Sequence, residues 1–140
     1  MPISEADTGR RYPPTPIYEV TAGKIAEFAA ALGDQNPAYY SDAPLAPPTF
    51  AAVPAARAWE SMFADPELGL ELHRIVHGDQ RFSYRRPLRA GDRITATLTI
   101  EKVRVRGAAV LISSAVDLHD TAGELACTAA ATFIHSGDAA

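Results

Sequence analysis

The chain has 140 residues, with 13 Lys and Arg against 17 Asp and Glu, a formal net charge of −4. That length suits one domain with one core, and that charge argues against bulk nucleic-acid binding. No apolar run approaches the ~18 residues that span a bilayer and no leader-like segment opens the chain, so a cytoplasmic protein without membrane contact is expected.

Cys127 stands alone, and His73, His77, His119 and His135 fall in no metal-ligand spacing. Neither a disulfide framework nor a metal or other cofactor is therefore expected. Residues 1–14 are polar and end in Pro13-Pro14, which reads as a flexible N-terminal arm ahead of one domain over 15–136. Ile17–Val20 reads as a short first strand, and Thr21 then offers a helix N-cap. Ile25, Phe28, Ala29 and Leu32 recur on one helical face, and Gly33 supplies the stop. A proline-rich loop over 34–49 leads to a second helix over about 49–63. Its Pro54 either starts the regular helix or kinks it.

The second half reads as sheet. Gln80–Arg85 puts Phe82 and Tyr84 on one face, and Arg86-Pro87 stops the run. Ile94, Ala96, Leu98 and Ile100 alternate with polar residues, as in a strand with one wet face. The parity then shifts to Val103 and Val105, which predicts a bulge near Glu101-Lys102. Arg106-Gly107 and Asp120–Gly123 read as turns around a strand over Ala109–His119, and Glu124–His135 as a last, alanine-rich strand. Helices followed by an antiparallel meander predict a single-domain α+β fold.

The segment of greatest chemical interest is Gly33-Asp34-Gln35-Asn36-Pro37-Ala38-Tyr39, directly after the first helix. Together with Tyr18-Glu19-Val20-Thr21, Ala46-Pro47-Pro48-Thr49-Phe50, and His77–Phe82 running into Arg86–Asp92, it resembles the MaoC-like dehydratase and hydratase family. The likeness is to its N-terminal-type branch, the FAS1-like dehydratase domain. The resemblance implies a hot-dog fold, a long central helix wrapped by a curved antiparallel sheet. It also implies dimers that build an acyl site across their interface. Members act on thioesters of coenzyme A or acyl carrier protein, adding or removing water across the C2–C3 bond of a (3R)-3-hydroxyacyl group.

In active members the motif runs Asp-x-Asn-Pro-x-His. The histidine takes the C2 proton and the carboxyl group serves the leaving oxygen. Backbone N–H groups at the start of the central helix stabilise the developing enolate. Here Asp34 matches the acid and Asn36-Pro37 the turn, while Tyr39 stands at the histidine position. Phenol and imidazole differ by about 3.5 in reference pKa, so a phenolate base at neutral pH costs on the order of 4–5 kcal/mol. That forfeits about three orders of magnitude in rate. Pro47-Pro48 at the helix start offers no N–H, which leaves Thr49 or Phe50 as oxyanion donor. By the resemblance, chains of this branch shape the acyl channel while a partner chain carries the Asp–His pair.

Each candidate residue has a plainer reading. Asp34 is a catalytic acid or a helix-end turn residue, and Asn36 contacts substrate or forms the same turn. Tyr39 and Tyr40 line a pocket or pack in the core. His77 is a replacement base or a strand-end histidine. Thr49 and Phe50 contact the thioester, or serve as N-cap and core aromatic. Trp59, Met62 and Phe63 form core or acyl-channel wall. Arg86, with Arg81, Arg85, Arg89 and Arg93, receives phosphates or an acidic carrier protein, or forms a solvated face. Three functional classes follow: a dehydratase/hydratase subunit in a homodimer or in a heterodimer with a MaoC-domain chain, a non-catalytic acyl-thioester binding or scaffolding subunit, and a thioesterase using Glu60.

Overall fold

Capping sets the limits of the first helix. In the structure, a computed structural model that describes residues 3–137, α1 spans Ala22–Leu32 and the Thr21 hydroxyl accepts the Lys24 N–H at 3.1 Å. Gly33 ends it at φ 71°, a left-handed conformation that costs glycine no Cβ clash. Ile25 and Ala29 are buried, but Leu32, expected on the same face, is 53% exposed. It is the last residue of the helix, and the turn at Gly33 leaves it uncovered.

The central helix, α2, spans Ala52–Phe63, about 18 Å and shorter than expected. Pro54 sits in its first turn, where no N–H is needed, so it starts the helix and does not kink it. Thr49 is not the cap: Ala51 holds that place with no side-chain cap bond, and Thr49–Ala51 form a tight turn ahead of it.

Five antiparallel strands complete the domain: β1 (Tyr18–Glu19), β2 (Ile75–Tyr84), β3 (Arg93–Arg106), β4 (Ala109–His119) and β5 (Leu125–Ser136). They lie in the order β1-β3-β4-β5-β2, and the sheet curls around α2, which packs on β3 and β4. The bulge expected near Glu101 is present as a register shift between Ile100 and Lys102. Buried Ile94, Leu98 and Ile100 of β3, Ile112, Val116 and Leu118 of β4, and small Ala126, Cys127, Ala129 and Ala131 of β5 form the sheet side of the core.

β2 begins five residues before the predicted Gln80, because a second register shift lies between His77 and Asp79. The bulge at Gly78 resets the parity, so His77 pairs Phe133 while Gln80, Phe82 and Tyr84 pair Ala131, Ala129 and Cys127. A Cβ on Gly78 would lie 3.2 Å from the Thr132 carbonyl oxygen, a close approach that favours glycine there.

Residues 3–14, expected to form a loose arm, lie along the outer edge of β3; Met1 and Pro2 fall outside the described residues. The Ile100 carbonyl accepts the Gly9 N–H at 2.7 Å, and the Leu98 carbonyl accepts the Tyr12 N–H at 3.0 Å. Arg10 reaches Asp7, Asp65 and Glu67 at 2.9, 3.2 and 3.0 Å, and Tyr12 donates to Asp65 at 2.6 Å. The segment thus supplies hydrogen-bond partners to a strand edge that otherwise has few.

Candidate functional site

The Asp34 segment folds by local hydrogen bonds. Asp34 Oδ1 accepts the Asn36 N–H at 3.0 Å, and Asn36 Oδ1 accepts the Ala38 N–H at 3.0 Å. These are successive Asx turns, and Pro37 then opens a short 3-10 turn over Pro37–Tyr39. The Tyr40 hydroxyl donates to the Asp34 carbonyl at 3.0 Å and closes the loop. The result buries Tyr39, 9% exposed, and leaves Tyr40 48% exposed.

Tyr39 forms one wall of a pocket of about 450 Å³. Asn36 and Ala38 lie beside it, Leu45, Ala46 and Pro48 come from the following loop, and Tyr84, Arg85, Arg86 and Pro87 from the end of β2. Tyr84, in the sequence only a strand residue, joins the two halves of this site. Its hydroxyl donates to the Pro48 carbonyl, and burial pushes its pKa well above the usual phenol range.

At the start of α2 the Phe50 N–H is already given to the Pro47 carbonyl at 2.9 Å. The Thr49 N–H has no acceptor among the described residues, so it is the uncommitted donor of the pair, although Thr49 does not line the pocket. The Phe50 ring is fully buried, edge-on to Phe28 at 5.4 Å, and belongs to the core.

Two other candidates lie elsewhere. The His77 ring stands 5.2 Å from Trp59 and 4.8 Å from Phe133, with Nε2 3.0 Å from Gln80 Oε1. His77 and Tyr84 are seven residues apart on β2, roughly 23 Å at ~3.3 Å per residue. The structure thus does not bring His77 to the Asp34 carboxylate or into the Tyr39 pocket. Trp59 packs in that same aromatic group, its indole N–H buried without an acceptor, and likewise does not line the pocket.

Arg86 does line the pocket, but its guanidinium is held by Asp92 at 2.9 Å and Asp120 at 3.4 Å. The hydrogen bond to Asp92 raises its pKa further, and Asp120 is held below the usual carboxylate range by the Glu124 N–H and then by Arg86. Arg86 therefore fastens the β2–β3 loop to the β4–β5 turn. Cys127 is buried on β5, and burial pushes its thiol up to about 11, which suits packing and not nucleophilic chemistry.

No helix of the described residues is long and apolar enough to cross a membrane, and no three His, Cys, Asp or Glu among them converge as metal ligands. The family described as FAS1-like, dehydratase domain region, matches residues 6–129. UPF0336 protein PPA1896 of Cutibacterium acnes is 51% identical over 97% of this chain and 96% of its own length. A chain of the C-terminally truncated HadBC complex, a (3R)-hydroxyacyl-ACP dehydratase from Mycobacterium tuberculosis, superposes with TM-score 0.82 at 28% identity. That superposition covers 91% of this chain and 96% of the other. A MaoC-like dehydratase superposes with TM-score 0.85 at 25% identity over 95% of this chain and 43% of that longer chain. The chain belongs to the FAS1-like dehydratase domain family and has the fold of the MaoC-like hot-dog dehydratases.

Proposed function

We propose that this chain is the channel-forming subunit of a dehydratase or hydratase acting on (3R)-3-hydroxyacyl and enoyl thioesters of coenzyme A or acyl carrier protein. In this reading it works beside a MaoC-domain chain that supplies the Asp–His pair. The observation that carries it is the pocket itself. Tyr39 stands at its wall where the base is needed, and no histidine lines it. The walls offer mostly apolar surface from Leu45, Ala46, Pro48 and the two tyrosines, which suits an acyl chain. Support for a partner comes from HadBC, a complex of hot-dog chains whose fold this chain shares. The outer edge of β2 faces no other strand among the described residues, which leaves a ladder edge for a second chain. Cytoplasmic residence, where acyl thioesters are made, belongs to the same reading.

The test is hydration of crotonyl-coenzyme A, followed by loss of enoyl absorbance. The chain alone is expected to show no turnover, and turnover is expected on adding a chain with an intact Asp-x-Asn-Pro-x-His motif. Turnover by the chain alone would overturn the division of labour. A second reading, a thioester-binding or scaffolding subunit with no part in catalysis, is favoured by one observation: the Asp34 carboxylate already serves the Asn36 N–H. In that case the partner's rate would be the same with and without this chain.

A further inference from the structure

Two adjacent arginines at the end of β2 have opposite situations. The N–H groups of Arg85 and Arg86 both point to the Ala126 carbonyl, at 2.8 and 3.4 Å, so the ladder ends irregularly there. Arg86 is neutralised by two carboxylates, Asp92 and Asp120. Arg85 lines the same pocket, is exposed, and its guanidinium has no partner among the described residues. Arg89 is likewise not neutralised. Its backbone is bridged to Leu45, a pocket-lining residue, and its own N–H bonds to Asp92. Its exposed guanidinium likewise has no partner among the described residues. In a chain of net charge −4, two uncompensated cations beside a mostly apolar pocket are a local reversal of sign.

We infer that Arg85 and Arg89 together hold the phosphate of the 4′-phosphopantetheine arm, while Arg86 serves only to fasten the loop. The inference rests on the thioester reading of the pocket and adds which residues meet the ligand's charge. The apolar walls take the acyl and pantetheine portion, and the charged head stays at the rim, where a guanidinium remains hydrated until it is bound. This assignment moves the anion contact away from Arg86, the arginine that the sequence singled out.

Calorimetric binding to the full-length chain tests it with three probes: crotonyl-coenzyme A, a crotonyl-acyl carrier protein, and crotonyl-pantetheine, which lacks the phosphate. Arg85→Ala and Arg89→Ala are each expected to weaken the two phosphate-bearing probes about tenfold and to leave crotonyl-pantetheine unchanged. Arg93→Ala, an equal change of charge elsewhere on the sheet, is expected to alter none of the three. Far-ultraviolet circular dichroism confirms that each variant is folded. Equal losses for the phosphate-free probe, or for Arg93→Ala, overturn the inference while the pocket remains a thioester site. Loss confined to the carrier-protein probe overturns it too, and makes these arginines a protein-docking surface. If the wild-type chain binds none of the three, the thioester reading falls and this inference with it.

Discussion

The Tyr84 hydroxyl donates to the Pro48 main-chain carbonyl, across 36 residues of sequence. It ties the end of β2 to the start of α2 and so fixes the distance between the two walls of the Tyr39 pocket. Pro48 lies just ahead of a helix start that has no side-chain cap.

Removing that hydroxyl leaves the Pro48 carbonyl without its donor. Tyr84→Phe is expected to lower stability by about 1–2 kcal/mol, read as a lower urea midpoint with unchanged slope. An unchanged midpoint would mean that the bond carries no net stability and that the pocket walls are set by packing alone.

Asp34 separates the two functional readings. Its carboxylate holds the Asn36 N–H at 3.0 Å, a role that an amide oxygen fills equally well. In the proposed two-chain assembly, Asp34→Asn is expected to keep turnover within about threefold, while Asp34→Ala loses about 1 kcal/mol of stability. A hundredfold fall in kcat for Asp34→Asn at unchanged stability would make Asp34 an acid and not a turn former.

Restoring the missing imidazole tests the same geometry from the other side. Tyr39 is buried at the pocket wall, but Asp34 does not line that pocket. Tyr39→His therefore places a base without its acid, and the chain alone is expected to show no hydration above the wild-type background. Measurable hydration of crotonyl-coenzyme A by this variant would show that the pair needs no more than the histidine.

Much of the frame was legible from local chemistry. Thr21 and Gly33 set the limits of α1, and the parity change at Glu101-Lys102 marked the bulge in β3. What escaped depends on contacts distant in sequence. The N-terminal segment has no periodicity, and its attachment relies on Arg10 and Tyr12 meeting Asp65, more than 50 residues away. The first half of β2 is largely exposed, and the bulge at Gly78 breaks its alternation, so the strand begins five residues ahead of the expected Gln80. The motif around Asp34 showed the turn, but not that Tyr84 would complete the pocket or that Asp92 and Asp120 would occupy Arg86.

The attachment of the N-terminal segment has a pH signature. The hydrogen bond from Tyr12 holds Asp65 below the usual carboxylate range. That stability is present above about pH 4 and is lost as pH falls through the lowered value. Burial, and then the bond to Asp65, raises the pKa of Tyr12. Its contribution is present below about pH 10 and is lost as pH rises towards the raised value. Tyr12→Phe is expected to soften the acid-side loss and part of the alkaline-side loss, with the remainder of the latter due to Tyr84, Tyr18 and Cys127, whose pKa values burial also raises. Urea midpoints measured across pH 3 to 11 check this (roughly the span of both titrations). Curves of the same shape for wild type and variant would show that the Tyr12–Asp65 bond has no part in either limb.

The free edge of β2 makes the last prediction. Val76 lies on this strand with 60% of its surface exposed, and Leu72, just before the strand, is 66% exposed. An edge strand with unpaired N–H and C=O groups and an exposed apolar side chain favours pairing with another chain, and a lysine on such an edge opposes it. The wild-type chain, alone or with the MaoC-domain chain proposed above, is expected to elute as a dimer in size-exclusion chromatography. Val76→Lys is expected to shift it towards the monomer while changing its own stability by less than about 0.5 kcal/mol, as exposed substitutions do. Unchanged assembly at equal concentration would place the interface on another face. It would also leave the exposure of Val76 without a role in pairing, and the search for the partner's contact would move to the 48% exposed Tyr40 beside the pocket.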